Sequence, residues 1–263
     1  MKAWKRIHIT KKRAACGVLG LLLLAAAYMG VPRAAEKVFA VAEGERRLPI
    51  YCVQTEKPQV SVSFDAAWGA DDTDELLRIL KENGVKATFF LCGYWVEKYP
   101  EEVKKIAAEG HDLGNHSATH PHMSRISSEE IAQELQKCHE NVKKLTGVEM
   151  ELFRPPFGEY DNHVIETAEQ NGYYTIQWDV DSLDWKEQGA EVEIRQVLEH
   201  KHLGNGSIIL FHNDAKYTPK VLDTILEGIK EKGFEIVPIS QLIHRENFEM
   251  DHEGRQIPKG KDV

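Results

Sequence analysis

From Gln59 to Ile239 the chain alternates short apolar runs with longer stretches whose apolar residues recur every three or four positions. QVSVSF, KATFFLC, HDLGN, ELF, YYTIQ, SIILF and FEIVPI read as strands. Between them, DTDELLRILKENG puts Leu76, Leu77 and Leu80 on one helical stripe, with Gly84 as its stop. YPEEVKKIAAEG repeats the arrangement. Ser127 and Glu130 form a capping box that opens the longest helix, IAQELQKCHENVKKLTG. Pro155 and Pro156 must end the strand ELF, because neither nitrogen can donate to a ladder. HVIETAEQNG, EVEIRQVLEHK and PKVLDTILEGIKEKG complete about seven strand–helix alternations, the signature of an α/β fold with a parallel sheet or barrel.

The flanks read differently. Lys2, Lys5, Arg6, Lys11, Lys12 and Arg13 precede an uncharged stretch from Ala14 to Val31. Residues 1–31 are therefore expected to form a hydrophobic helix, either a membrane anchor or a signal peptide. The basic flank would stay in the cytoplasm and leave the barrel outside, tethered to the membrane or secreted to the wall. Cys16 lies before the apolar core, the wrong place for lipid attachment. Residues 32–57 read as a linker or stalk with one short strand near Leu48 to Val53. Residues 58–245 form the barrel, and 246–263 a polar, loosely attached tail.

Composition narrows the function. The chain has 263 residues, 42% hydrophobic and 29% charged, which suits a packed domain, expected to be a monomer. Its net charge of −9 speaks against a nucleic-acid partner, which normally meets a basic face. Beyond the N-terminal segment only Cys52, Cys92 and Cys138 occur, at unrelated positions, so no disulfide and no paired-cysteine zinc site is assigned.

The chemistry gathers where the strands end. Asp65 follows QVSVSF, His116 and His120 follow HDLGN, Arg154 follows ELF, Asp179 to Trp185 follow YYTIQ, and His212 closes SIILF. In a barrel, the carboxyl ends of the strands open onto one face, where catalytic groups collect. Two imidazoles four apart can converge on one divalent cation if the turn is helical, and neutral imidazole suits zinc. His111 and His122 are nearby candidates. Asp65 can be a base, a metal ligand or a turn-former, whereas Asp71, Asp72 and Asp74 suit the positive end of the next helix. Two prolines fix the direction of Arg154, whose guanidinium could grip a carboxylate with two parallel bonds. Trp178 and Trp185 bracket a set of acids. Indole faces make good platforms for sugar rings, and a buried carboxylate can raise the pKa of a histidine it touches.

In this order, SFDAAWG, HSATH, RPPFG, DSLDW and LFH resemble the five motifs of the polysaccharide deacetylase family, carbohydrate esterase family 4. The resemblance covers roughly residues 58–242. It implies a distorted (β/α)₇-type barrel with His116 and His120 as metal ligands and Asp65 as general base, oriented by Arg154. It also implies His212 as general acid tuned by Asp184, and a substrate groove lined by Trp185, Pro155, Phe157 and Leu210. The implied reaction removes N-acetyl groups from a chitin-like or cell-wall polysaccharide. Peptidoglycan is favoured because the barrel would lie beside the wall.

One position departs from the pattern. Family members usually carry a second aspartate after the first, completing the metal triad, and here it is Ala66. Two histidines could hold a weak metal, Asp71 or Asp72 could fold back, or the metal could be absent. Two rival functions follow: a membrane-tethered glycan binder without turnover, and an O-acetyl esterase acting on xylan.

Overall fold

The computed structural model describes residues 46–259. In chain order these are β1 (Cys52–Val53), β2 (Gln59–Ala66), α1 (Thr73–Glu82), β3 (Thr88–Leu91), α2 (Gly93–Lys98), α3 (Pro100–Ala108), β4 (Asp112–Asn115) and α4 (Ser128–Thr146). There follow β5 (Leu152–Phe153), α5 (Asn162–Gln170), β6 (Tyr174–Thr175), β7 (Val180–Asp181), α6 (Ala190–Leu198), β8 (Ile208–His212) and α7 (Thr218–Glu231). The chain closes with β9 (Glu235–Ile236), α8 (Ile239–Leu242), β10 (Phe248–Met250) and β11 (Arg255–Pro258). A curled parallel sheet runs in the order β6-β5-β4-β3-β2-β8-β7, with β9 on the start of β2. This is the predicted α/β barrel, with its seam between β6 and β7.

The central strand, β2, shows how sequence alternation builds the two sides. Val60, Val62, Phe64 and Ala66 pack into the large apolar cluster shared with the helices. Phe64 stacks on Phe89 at 5.0 Å and on Phe211 at 5.7 Å, so Phe64→Ala should cost about 3–5 kcal/mol. Ser61, Ser63 and Asp65 alternate with these. The two serine hydroxyls donate to the carbonyls of Val237 and Ile209, so neither is stranded on the inner face of the strand. Asp65 is left at the rim.

The helix signals act locally as expected. Ser127 accepts from the Glu130 amide while the Glu130 side chain accepts from Ser127 N–H, and Gly147 ends α4 at φ +77°. The acidic residues before α1 behave otherwise. Asp72 occupies the N-cap position without capping, and its Oδ2 accepts the Asp214 amide at 2.8 Å. Asp74 pairs with Lys105.

Both flanks of the barrel are more ordered than their composition suggests. Ile50 and Val53 are buried, and Ile50 N–H donates to Thr175 while Val53 N–H donates to Gly206. Residues 50–53 thus pack against the barrel, and β1 is the short strand expected near Leu48 to Val53, here in a three-stranded sheet with β11 and β10. The expected tail likewise forms β10 and β11, an antiparallel pair whose β11 runs parallel to β1. Polarity misleads there because one buried residue, Gln256, satisfies its own amide. Its side chain accepts His244 N–H at 2.7 Å and donates to the His244 carbonyl at 2.6 Å. Among the described residues the three cysteines, Cys52, Cys92 and Cys138, are free and buried. The expected N-terminal membrane helix lies outside the described residues, among which no helix is long and apolar enough to cross a membrane.

Candidate active site

Asp65 and Arg154 meet in the barrel mouth. Arg154 Nη1 donates to Asp65 Oδ1 at 2.7 Å, and Nη2 donates to the Gln177 carbonyl at 3.1 Å. The grip is a single bond to the carboxylate rather than the parallel pair expected: Nη2 is engaged by the backbone, and the buried Nε has no hydrogen-bond partner. Arg154 is fully buried, its guanidinium 4.1 Å from the Phe90 ring centre and 5.5 Å from that of Trp178. Burial alone would raise the Asp65 carboxyl. The charge and hydrogen bond of Arg154, with the charge of His212, outweigh it and hold that carboxyl below the usual range.

His116 leaves β4 beside this pair. Its Nδ1–H donates to the Arg154 carbonyl at 2.7 Å, which aims Nε2 toward Asp65 Oδ2, 3.7 Å away. His120 stands edge-on to it, ring centres 4.9 Å apart. The turn joining them is not helical. Ser117 (φ +66°) and His120 (φ +58°) adopt left-handed backbone, and the Ser117 hydroxyl accepts the His120 amide. Burial pushes both imidazoles down, His120 to about 4, so each is neutral and able to ligate. His111 is elsewhere, buried with Nδ1 accepting Ala87 N–H. His122 pairs with Glu159 and stacks on Phe157 at the rim.

The opposite wall carries the second charged pair. His212 Nδ1–H donates to Asp184 Oδ1 at 2.8 Å, while Asp184 Oδ2 accepts the His212 amide at 2.7 Å. Burial would lower this histidine, but the Asp184 bond and charge, aided by Asp65 and Asp181, raise it. The indole of Trp68 lies over His212, ring centres 5.1 Å apart and planes 18° off parallel.

These groups share one cavity of about 500 Å³ that includes Asp65, His116, His120 and His212. Of the expected groove residues, Trp185, Phe157 and Leu210 line it. Pro155 does not. It is buried beneath and fixes the turn that brings Phe157 out at φ +59°. Trp68, Trp178 and Asp181 also line the cavity. Trp68 was legible in SFDAAWG as an aromatic just past a strand exit. Asn213 left no such signal, yet its side chain accepts Ala67 N–H and donates to the Gly69 carbonyl, fastening the β2 and β8 exits together.

The third metal ligand is not supplied from nearby. Ala66 is buried, Asp72 is engaged by Asp214, and neither Asp71 nor Asp72 lines the cavity. Among the described residues, no three His, Cys, Asp or Glu side chains are grouped to hold a metal. His116 and His120 bring two neutral imidazoles to the cavity, one donor short of the three protein ligands of a catalytic zinc site.

Comparison with known proteins agrees with this geometry. The sequence profile of the polysaccharide deacetylase family matches residues 53–176. A peptidoglycan-N-acetylglucosamine deacetylase of Bacillus cereus is 34% identical, across 71% of this chain and 68% of its own length. Protein YlxY of Bacillus subtilis is 36% identical over 74% of this chain, which spans only 60% of the length of that relative. Among solved structures, a carbohydrate esterase family 4 pseudoenzyme from Bacillus anthracis superposes with a TM-score of 0.71 at 32% identity, covering 81% of this chain and 73% of that one. A mutant of that pseudoenzyme with restored enzymatic activity gives 0.71 at 36% identity, over 74% of this chain and 70% of that one. Identity above 30% across most of a deacetylase, on a shared curled barrel, places the chain in the polysaccharide deacetylase family, carbohydrate esterase family 4.

Proposed function

We propose that this chain hydrolyses N-acetyl groups on the amino sugars of a cell-wall polysaccharide, peptidoglycan first among them. The observation that carries the reading is the opposed poise of two groups on one cavity. Arg154 bonds Asp65 at 2.7 Å and lowers its carboxyl, and Asp184 bonds His212 at 2.8 Å and raises its imidazole. A base ready to accept and an acid ready to donate are what amide hydrolysis needs near neutrality.

Asp65 takes a proton from a water beside it as the water attacks the acetamide carbonyl. His212, its Nδ1–H occupied by Asp184, gives the Nε2 proton to the departing amine, releasing acetate. Arg154 keeps Asp65 fixed, and the exposed faces of Trp68, Trp185 and Phe157 offer platforms for sugar rings. A divalent ion on His116 and His120 would polarise the carbonyl and add positive charge near the oxyanion. The basic and apolar pattern of residues 1–31 supports a barrel held at the outer face of the membrane.

The absent third ligand favours a second reading, a glycan-binding protein without turnover. Acetate release from peptidoglycan and from N-acetylglucosamine oligomers, with added zinc and with chelator, separates the two. Release by the full chain and its loss in H212A support the hydrolase. Glycan binding without release from either, at any metal level, supports the binder. Release from acetyl-xylan alone would instead mark an O-acetyl esterase.

A further inference from the structure

Behind the His212–Asp184 pair lies a buried carboxylate that the proposed reaction does not use. Glu193 projects inward from α6 and is only 4% exposed. Its Oε1 lies 2.8 Å from the Thr218 hydroxyl at the start of α7, and that hydroxyl lies 3.2 Å from Asp184 Oδ2. With the Asp184–His212 bond, four side chains form one hydrogen-bonded file from the helix layer to the cavity. A void of about 10 Å³, the room of a single water, is lined by Asp184 and Glu193 together.

A hydroxyl has one proton to donate. Set between two carboxylates, Thr218 can serve only one of them. A neutral Glu193 donates to Thr218 Oγ1 and leaves the hydroxyl proton for Asp184. An ionised Glu193 draws that proton to itself across the shorter contact. We propose that Glu193 is a positioning residue for the general acid, its protonation state setting the direction of the Thr218 hydroxyl and so the grip of Asp184 on His212. The proposal deepens the reading of His212 as the acid and rests on it for its catalytic meaning.

The surroundings make both states accessible. Burial lifts the Glu193 carboxyl to about 7, with the charge of Asp184 adding to the rise and the Thr218 bond opposing it. Asp184 is the charged group facing it from the neighbouring turn. On α6 the charged side chains of Glu191 and Arg195 are exposed, as are Lys220 and Asp223 on α7. Farther along the file, Asp65 and Asp181 act on His212 itself. When Glu193 ionises, Asp184 loses a donor and gains a negative neighbour, so it holds the imidazolium more firmly. His212 then keeps its proton to higher pH, and the two titrations are coupled.

The test follows the His212 ring nitrogens by NMR across pH in the full chain, with acetate release measured alongside. E193Q should move the His212 midpoint down and bring the alkaline limb of the activity profile down with it. T218V should shift the midpoint away from the wild-type value, whereas T218S, which keeps the hydroxyl, should titrate like wild type. Unchanged midpoints in both E193Q and T218V, whatever happens to thermal stability, would overturn the proposal, as would T218S shifting as far as T218V. A His212 shift in a chain that releases no acetate would uphold the coupling and count against the hydrolase reading alone.

Discussion

Asp184 accepts both the ring Nδ1–H and the backbone N–H of His212, at 2.8 and 2.7 Å. One carboxylate therefore fixes the orientation of the ring and its charge together. D184N should keep the fold but lower the His212 titration, so its alkaline limb falls to lower pH. Steady-state acetate release should drop on the order of 10²- to 10⁴-fold.

Ala66 pairs with Leu91, whose carbonyl accepts His116 N–H, so all three lie at one level of the sheet. A carboxylate at 66 would start from the level of the imidazoles, on a position buried among apolar neighbours. A66D should lower the melting temperature in chelator, because a buried unpaired charge is costly. Zinc should restore it, with a larger metal-dependent rise than in wild type. Calorimetry should show tighter zinc binding, and tight stoichiometric zinc in the unaltered chain would refute the two-ligand description.

Removing Arg154 leaves Asp65 buried without its cation. R154M should destabilise by about 3–5 kcal/mol at pH 7, measured by urea unfolding. The deficit should shrink at acid pH. In wild type the folded Asp65 carboxyl lies below its unfolded value, so its contribution is present above that unfolded value and fades as pH falls through the folded one.

Asp179 works in the opposite sense. Burial pushes its carboxyl up to about 6, although it accepts the Ile208 amide and lies 3.1 Å from the Ser207 hydroxyl. An unfolded aspartate has lost its proton above about 4, whereas the folded one keeps it until about 6, so the group weakens folding as pH rises through that window. D179N should raise the melting temperature at pH 7.5 more than at pH 4.5. Equal shifts at both pH values would contradict this account.

Strand-exit residues were legible because period-two alternation puts Asp65 on the inner face of β2 and His212 at the end of β8. The helix bounds were legible through local chemistry, such as the Ser127–Glu130 box. Three features were not. The β1–β11 pairing joins segments some 200 residues apart, and no local pattern announces a partner so distant. The His116–His120 turn depends on left-handed backbone at two residues that carry no glycine. Asn213 and Glu193 act through bonds to other loops, which spacing along the chain does not reveal.

The seam of the barrel has a consequence for what can lie in its mouth. Residues 176–179 carry the chain directly from β6, at one margin of the sheet, to β7 at the other. Gln177 and Trp178 bridge that gap, the former through its carbonyl on Arg154 and the latter as cavity wall. Because one short crossing holds both the Arg154 anchor and a wall of the cavity, any change in residues 176–179 reaches the setting of Asp65 and the width of the mouth together.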